Sequence, residues 1–98
     1  MPYTLIYHPQ VVEEDLATVP LNLQRRIARA IEARLGSAPE RYGEPLRGTL
    51  KGYWKLRIGD YRVVYKIVGT EVWIFGMLHR RRIYTDVLRR LGRRPAEP

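Results

Sequence analysis

An α+β fold is predicted by three features of this 98-residue chain. β-branched and aromatic runs occur at residues 3–7 and three times between residues 53 and 78. An apolar stripe recurs at four-residue spacing from Leu23 to Leu35, and Gly or Pro punctuates the junctions. In order these give an N-terminal strand, two helices, a three-stranded antiparallel meander and a short C-terminal helix, packed as one small domain. A chain of this size buries roughly two thirds of its unfolded surface, enough for one core. Residues 1–91 form that domain, and residues 92–98 read as a basic, flexible tail.

Each element has a local cause. Residues 3–7, Tyr-Thr-Leu-Ile-Tyr, suit a short strand. Pro9 suits the first turn of a helix in which Val12, Leu16 and Val19 recur at helical spacing, and Glu13, Glu14 and Asp15 favour its dipole. Pro20 opens a second helix with Leu23, Ile27, Ile31 and Leu35 as its stripe and Arg25, Arg26, Arg29 and Arg34 on other faces. Gly36 and Pro39 end it. Residues 41–51 form a loop containing Gly43, Pro45 and Gly48. Strands 53–58 and 61–68 flank Gly59-Asp60, a glycine-first pair that fits a type II′ hairpin. Gly69-Thr70 breaks the chain before the third strand, 71–78. Val87, Leu88 and Leu91 give residues 84–91 an apolar helical stripe.

Charge is distributed unevenly. Residues 1–46 carry a net −1 and residues 47–98 a net +9, together the +8 of the whole chain. Such asymmetry marks a binding face for a polyanion, of which nucleic acid is the commonest. With no cysteine there is no disulfide or thiolate chemistry, and a reducing cytoplasm is permitted. Two distant histidines give no metal-ligand cluster. The first apolar run is too short for a signal peptide, and no stretch is long enough for a membrane span.

Strand alternation decides which cations act together. Tyr53, Lys55 and Arg57 share one face of their strand, as do Arg62, Val64 and Lys66 of the next. The opposing apolar sets meet the helices, so Lys55, Arg57, Arg62 and Lys66 converge on the free face. Unpaired buried charges are costly, which makes that face a solvated one. His79, Arg80, Arg81, Arg82 and Tyr84 follow the last strand at its rim, and Lys51 precedes the meander. Trp54 and Trp73 read as core fillers, and His8, at a strand end, as structural.

The segments LRG, GYWKLRIGDYRVVY and HRRRIY resemble the RelE/ParE superfamily of toxins from toxin–antitoxin pairs, over essentially the whole chain. In its RelE branch the resemblance implies a ribosome-dependent mRNA endoribonuclease that needs neither metal nor cofactor. The messenger's 2′-hydroxyl attacks the adjacent phosphate and leaves a 2′,3′-cyclic end. In its ParE branch it implies a DNA gyrase inhibitor without nuclease activity. Lys55 matches the second lysine of the RelE catalytic strand, and the first falls on Tyr53. Arg62 matches the arginine of the partner strand, Arg80 the arginine after the last strand, and Tyr84 the catalytic tyrosine, although the spacing from Arg80 to Tyr84 is shorter here. His79 is a further catalytic candidate. Lys51, Arg57, Lys66, Arg81 and Arg82 are expected to contact RNA. The implied partners are the ribosome, its messenger and an acidic antitoxin encoded next door, all cytoplasmic.

Such chemistry needs a base, a stabiliser of the phosphorane and an acid for the departing 5′-oxygen. Arginine is permanently protonated and its planar fork fits phosphate oxygens, so Arg62 and Arg80 are clamps. A lysine base must first shed its proton, which neighbouring cations favour. His79 and Tyr84 carry the other exchangeable protons.

Overall fold

The computed structural model describes residues 2–92, so the predicted tail at 92–98 lies, beyond Gly92, outside the described residues. Strand β1 (Thr4–Tyr7) is followed by a π-helical turn, Val11–Asp15, that runs into α1 (Leu16–Thr18). Then come α2 (Leu21–Leu35), a single turn α3 (Pro39–Tyr42), and the two-residue strand β2 (Glu44–Pro45). After the 3-10 turn Gly48–Leu50, the chain forms β3 (Trp54–Ile58), β4 (Tyr61–Val68), β5 (Glu71–His79) and α4 (Ile83–Arg90).

The strands make one mixed sheet in the order β1-β5-β4-β3-β2, with β1 parallel to β5 and all other pairs antiparallel. The meander forms as expected. Gly59 has φ 59°, and among the described residues none other than glycine has positive φ, which is the type II′ requirement at Gly59-Asp60. The 41–51 segment is more structured than its turn residues suggest. Pro39 starts α3 instead of merely ending the previous helix, and Glu44 and Pro45 pair with Lys55 and Trp54 as a fifth, edge strand. Two residues are too few to show any alternation in sequence.

One sheet face is sealed by α2. Ile27, Ile31 and Leu35 are buried against Leu56, Ile58, Val63, Tyr65, Val72, Ile74 and Met77. Burying such side chains stabilises the fold by about 1.5–3 kcal/mol each. Tyr65 is fully buried; its hydroxyl donates to the Pro39 carbonyl at 2.6 Å, and Trp54 stacks on its ring.

The first helical segment departs from its expected register. Val12 is 59% exposed, whereas Val11, Asp15 and Val19 are buried. The cause is the π turn, in which Leu16 N–H donates to Val11 C=O, five residues back. The wider turn rotates Val11 and Asp15 inward together. Asp15 is therefore a buried carboxylate rather than a surface partner of the helix dipole.

The other face is not wholly free. Helix α4 lies on it, and Ile83, Val87 and Leu88 form a second core with Val64, Leu78, Tyr53 and Leu50. Two devices admit the helix. A β-bulge after Val64 pairs it with Gly76 while Tyr65 pairs with Ile74. At Gly76 a Cβ would stand 2.5 Å from Val87 Cγ2 and 2.9 Å from Ile83 Cδ1, so only glycine permits this approach. The far end of α4 is fixed by Arg90, whose Nη2 meets Asp15 Oδ1 at 2.8 Å and whose Nη1 reaches Asp15 Oδ2 and the Phe75 carbonyl. Met77 N–H also donates to Asp15 Oδ2. The pair thus satisfies the edge of β5 where β1 has ended. Among the described residues no helix is long and apolar enough to cross a membrane.

Candidate nucleic-acid interface

Strand register sets the geometry of the basic face. Arg57 and Arg62 are direct cross-strand partners, and Lys55 stands opposite Val64, one row further in. Like charges directly opposed destabilise a sheet by a few tenths to about 1 kcal/mol, so the arrangement works against stability. Arg62 relieves part of it by folding back, its Nη1 donating to the carbonyls of Gly59 at 2.9 Å and Tyr61 at 3.0 Å. Arg57 projects to solvent. Lys55 Nζ lies 4.0 Å from a carboxylate oxygen of Glu44 on the edge strand. A loose surface pair of this kind is worth about 0–1 kcal/mol, little obstacle to a competing anion.

Arg80 comes to the same corner. Its backbone N–H donates to the carbonyl of Asp60 at 2.8 Å, fastening the segment after β5 to the β3–β4 turn that Arg62 also grips. Arg57, Arg62 and the Arg80 backbone therefore meet at one end of the sheet, with Lys55 one row further in. Tyr84, on the first turn of α4, packs half-buried against the second core on this face. Arg81 and Arg82 are exposed just before the helix, where Arg82 pairs with Asp86 at 3.0 Å. Lys51 is exposed at the end of the 3-10 turn, remote in register from Arg62.

His79 is placed apart. It is the cross-strand partner of Tyr61, and the two rings meet edge to face, centroids 5.8 Å apart, on the side of the sheet that α2 covers. Its Nδ1 accepts the Arg81 N–H at 3.2 Å, a turn-capping contact. His8 makes the same kind of contact with Gln10 N–H.

Tyr53, which stands where the resemblance puts a lysine, is buried. A cation nevertheless reaches it, for Lys66 Nζ from the neighbouring strand lies 5.4 Å from the Tyr53 ring centroid. Sequence reasoning missed three participants. Glu44 lay in a segment read as loop. Asp15 and Arg90, buried to 2% and 6% side-chain exposure, are 75 residues apart and each sits in a run of like charges. The hydrogen bond to Asp15 raises the Arg90 pKa and holds that guanidinium charged. Trp73 is no core filler either: it is 39% exposed.

Comparison with known proteins agrees with this architecture. The family described as "ParE toxin of type II toxin-antitoxin system, parDE" matches residues 5–84. Toxin RelG of Mycobacterium tuberculosis is 34% identical over 86 residues, covering 86% of this chain and 98% of that protein. Among solved structures, the toxin–antitoxin complex RelBE2 of the same organism superposes with TM-score 0.76 at 32% identity, covering 82% of this chain and 100% of the matched one. The archaeal RelE–RelB complex from Pyrococcus horikoshii follows at TM-score 0.63 and 28% identity, covering 84% and 99%.

Proposed function

The chain belongs to the ParE toxin family of type II toxin–antitoxin systems, within the RelE/ParE superfamily, and we propose that it acts as a RelE-like mRNA endoribonuclease on the ribosome. The observation that carries this reading is the corner of the sheet where Arg57 and Arg62 oppose each other beside the Gly59-Asp60 turn, with the Arg80 backbone tied to that turn and Lys55 one row further in. A surface that only docked on another protein gains nothing from opposing Arg57 to Arg62, whereas a phosphodiester compensates both.

In the reaction, the 2′-oxygen of one nucleotide bonds to the adjacent phosphorus and the bond from phosphorus to the 5′-oxygen breaks. The 2′-hydroxyl proton passes to a base and a second proton reaches the departing 5′-oxygen. Arg62 and Arg80 clamp the phosphorane oxygens, whose charge grows in the transition state. Lys55, as neutral amine, takes the 2′ proton, or as ammonium joins the clamp. Tyr84 donates to the leaving oxygen or stacks on a base. Arg57 and Lys66 guide the strand on the sheet, and Arg81, Arg82 and Lys51 extend its electrostatic footprint. His79 has a weaker claim, since its Nδ1 is engaged on the α2 side of the sheet. A cognate antitoxin, encoded adjacent and acidic enough to cover the basic face, is the resting partner in the cytoplasm.

The test is transcript mapping on translating ribosomes with the purified chain. Cleavage by the parent, lost in Lys55→Ala and Arg62→Ala, supports the reading. One observation favours a second: a tyrosine occupies position 53 in place of the lysine that the RelE branch carries there. Intact transcripts together with blocked supercoiling by DNA gyrase would establish that alternative.

A further inference from the structure

The basic face continues beyond the Arg62 corner. Past the row of Val64 and Gly76, over which α4 lies, Ile6 on β1 is in register with Trp73 on β5, and Trp73 with Lys66 on β4. Lys66 in turn extends its ammonium over the ring of Tyr53. An indole on a sheet surface at 39% exposure leaves a large apolar area in water. The ring is nonetheless fixed, because Nε1 donates to Glu71 Oε1 at 3.0 Å. Beside it, Ile6, His8, Trp73 and Phe75 line a shallow apolar recess of about 150 Å3, with the His8 and Phe75 rings inclined at 46° to each other.

We propose that Trp73 and this recess form a nucleobase-stacking subsite for single-stranded RNA, with Lys66 neutralising a phosphate of the same nucleotide. The inference rests on the nuclease reading and adds to it a base position remote from the scissile bond. A held aromatic ring beside a solvated cation is the combination by which proteins bind single strands: every base has a face to stack, and every link carries a charge to neutralise. The nearest carboxylate, Glu71, is occupied by the indole N–H. An apolar side chain of a protein partner could fill the same recess. The run of Arg57, Arg62, Lys55 and Lys66 across this one face favours the polyanion.

A 5′-labelled single-stranded uridylate hexamer, titrated against the full chain by fluorescence anisotropy, tests the assignment. Trp73→Ala should weaken binding roughly five- to a hundredfold, the scale of one stacked base, while Trp73→Tyr retains most of it. An abasic hexamer, which keeps the phosphates, should bind the parent more weakly than the uridylate does, and that difference should shrink in Trp73→Ala. Lys66→Ala should reduce the slope of log affinity against log salt by about one. If Trp73→Ala binds the hexamer as the parent does while Arg62→Ala weakens it, the subsite is overturned and the nuclease reading survives. If Trp73→Ala instead loosens the complex with the antitoxin and leaves RNA binding intact, the row is a protein-docking surface and the proposal is likewise overturned. A parent that neither binds the hexamer nor cuts transcripts sinks both readings.

Discussion

The two faces of the sheet divide the work of the molecule. Under α2, buried aliphatics and a pinned Tyr65 make a continuous apolar core. On the opposite face, a helix of eight residues sits over the middle, with Arg57 and Arg62 beyond one side and Lys66 and Trp73 beyond the other. An isolated helix this short is unstable in water, so α4 persists through what it touches. The contrast teaches that the first face supplies stability that the second spends on opposed cations and an exposed indole.

Four changes would break or sharpen that contrast. The largest effect is expected from Asp15→Ala, which leaves the Arg90 guanidinium buried without its partner and should cost about 3–5 kcal/mol in urea unfolding. Equal stability in the variant would show that the pair contributes nothing net. Next, Arg62→Ala should lower transcript cleavage about a hundredfold, the scale for a lost charge stabiliser, with melting unchanged or slightly improved because Arg57 loses an opposed charge. A variant that cuts normally would move the chemistry away from this corner.

Gly76→Ala comes third. Its methyl group meets Val87 and Ile83, so α4 must lift, at a cost of about 1–3 kcal/mol. Hydrogen exchange should quicken over Ile83–Arg90 while α2 keeps its protection, and uniform loss of protection would mean that the two faces unfold as one. The smallest effect concerns alkaline pH. Burial, reinforced by the charge of Glu40, raises the pKa of Tyr65, so the fold favours its neutral phenol. Its contribution is full below the pH of about 10 at which the unfolded phenol ionises, and is lost as pH climbs toward the raised folded value. Tyr65→Phe should flatten the alkaline limb of the stability curve, at the cost of the hydrogen bond to Pro39, and an unchanged limb would exclude Tyr65 as its source.

Most of the meander was legible because alternation, glycine-first turns and β-branched runs are local signals. So was the gathering of Lys55, Arg57 and Arg62, which needs only a two-residue period and one correct hairpin. What escaped the sequence was non-local or marginal. The two-residue β2 has no period to detect. The π turn inserts one residue into a helical rhythm and so exchanges Val12 for Val11. The docking of α4 depends on a bulge and a glycine whose partners lie on another element. Trp73 was misread because a tryptophan in a strand usually faces a core, and burial depends on which face the sheet's helices leave bare.

The Asp15–Arg90 pair also imposes a schedule on synthesis. The acid leaves the ribosome long before its guanidinium does, and β1 must likewise wait for β5. A nascent chain halted anywhere short of residue 90 holds a carboxylate that cannot be buried without its counter-charge. Its first strand and first helix then have no stable seat on the sheet. Closure of the fold therefore waits until Arg90 can join a buried acid that lies 75 residues earlier in the chain.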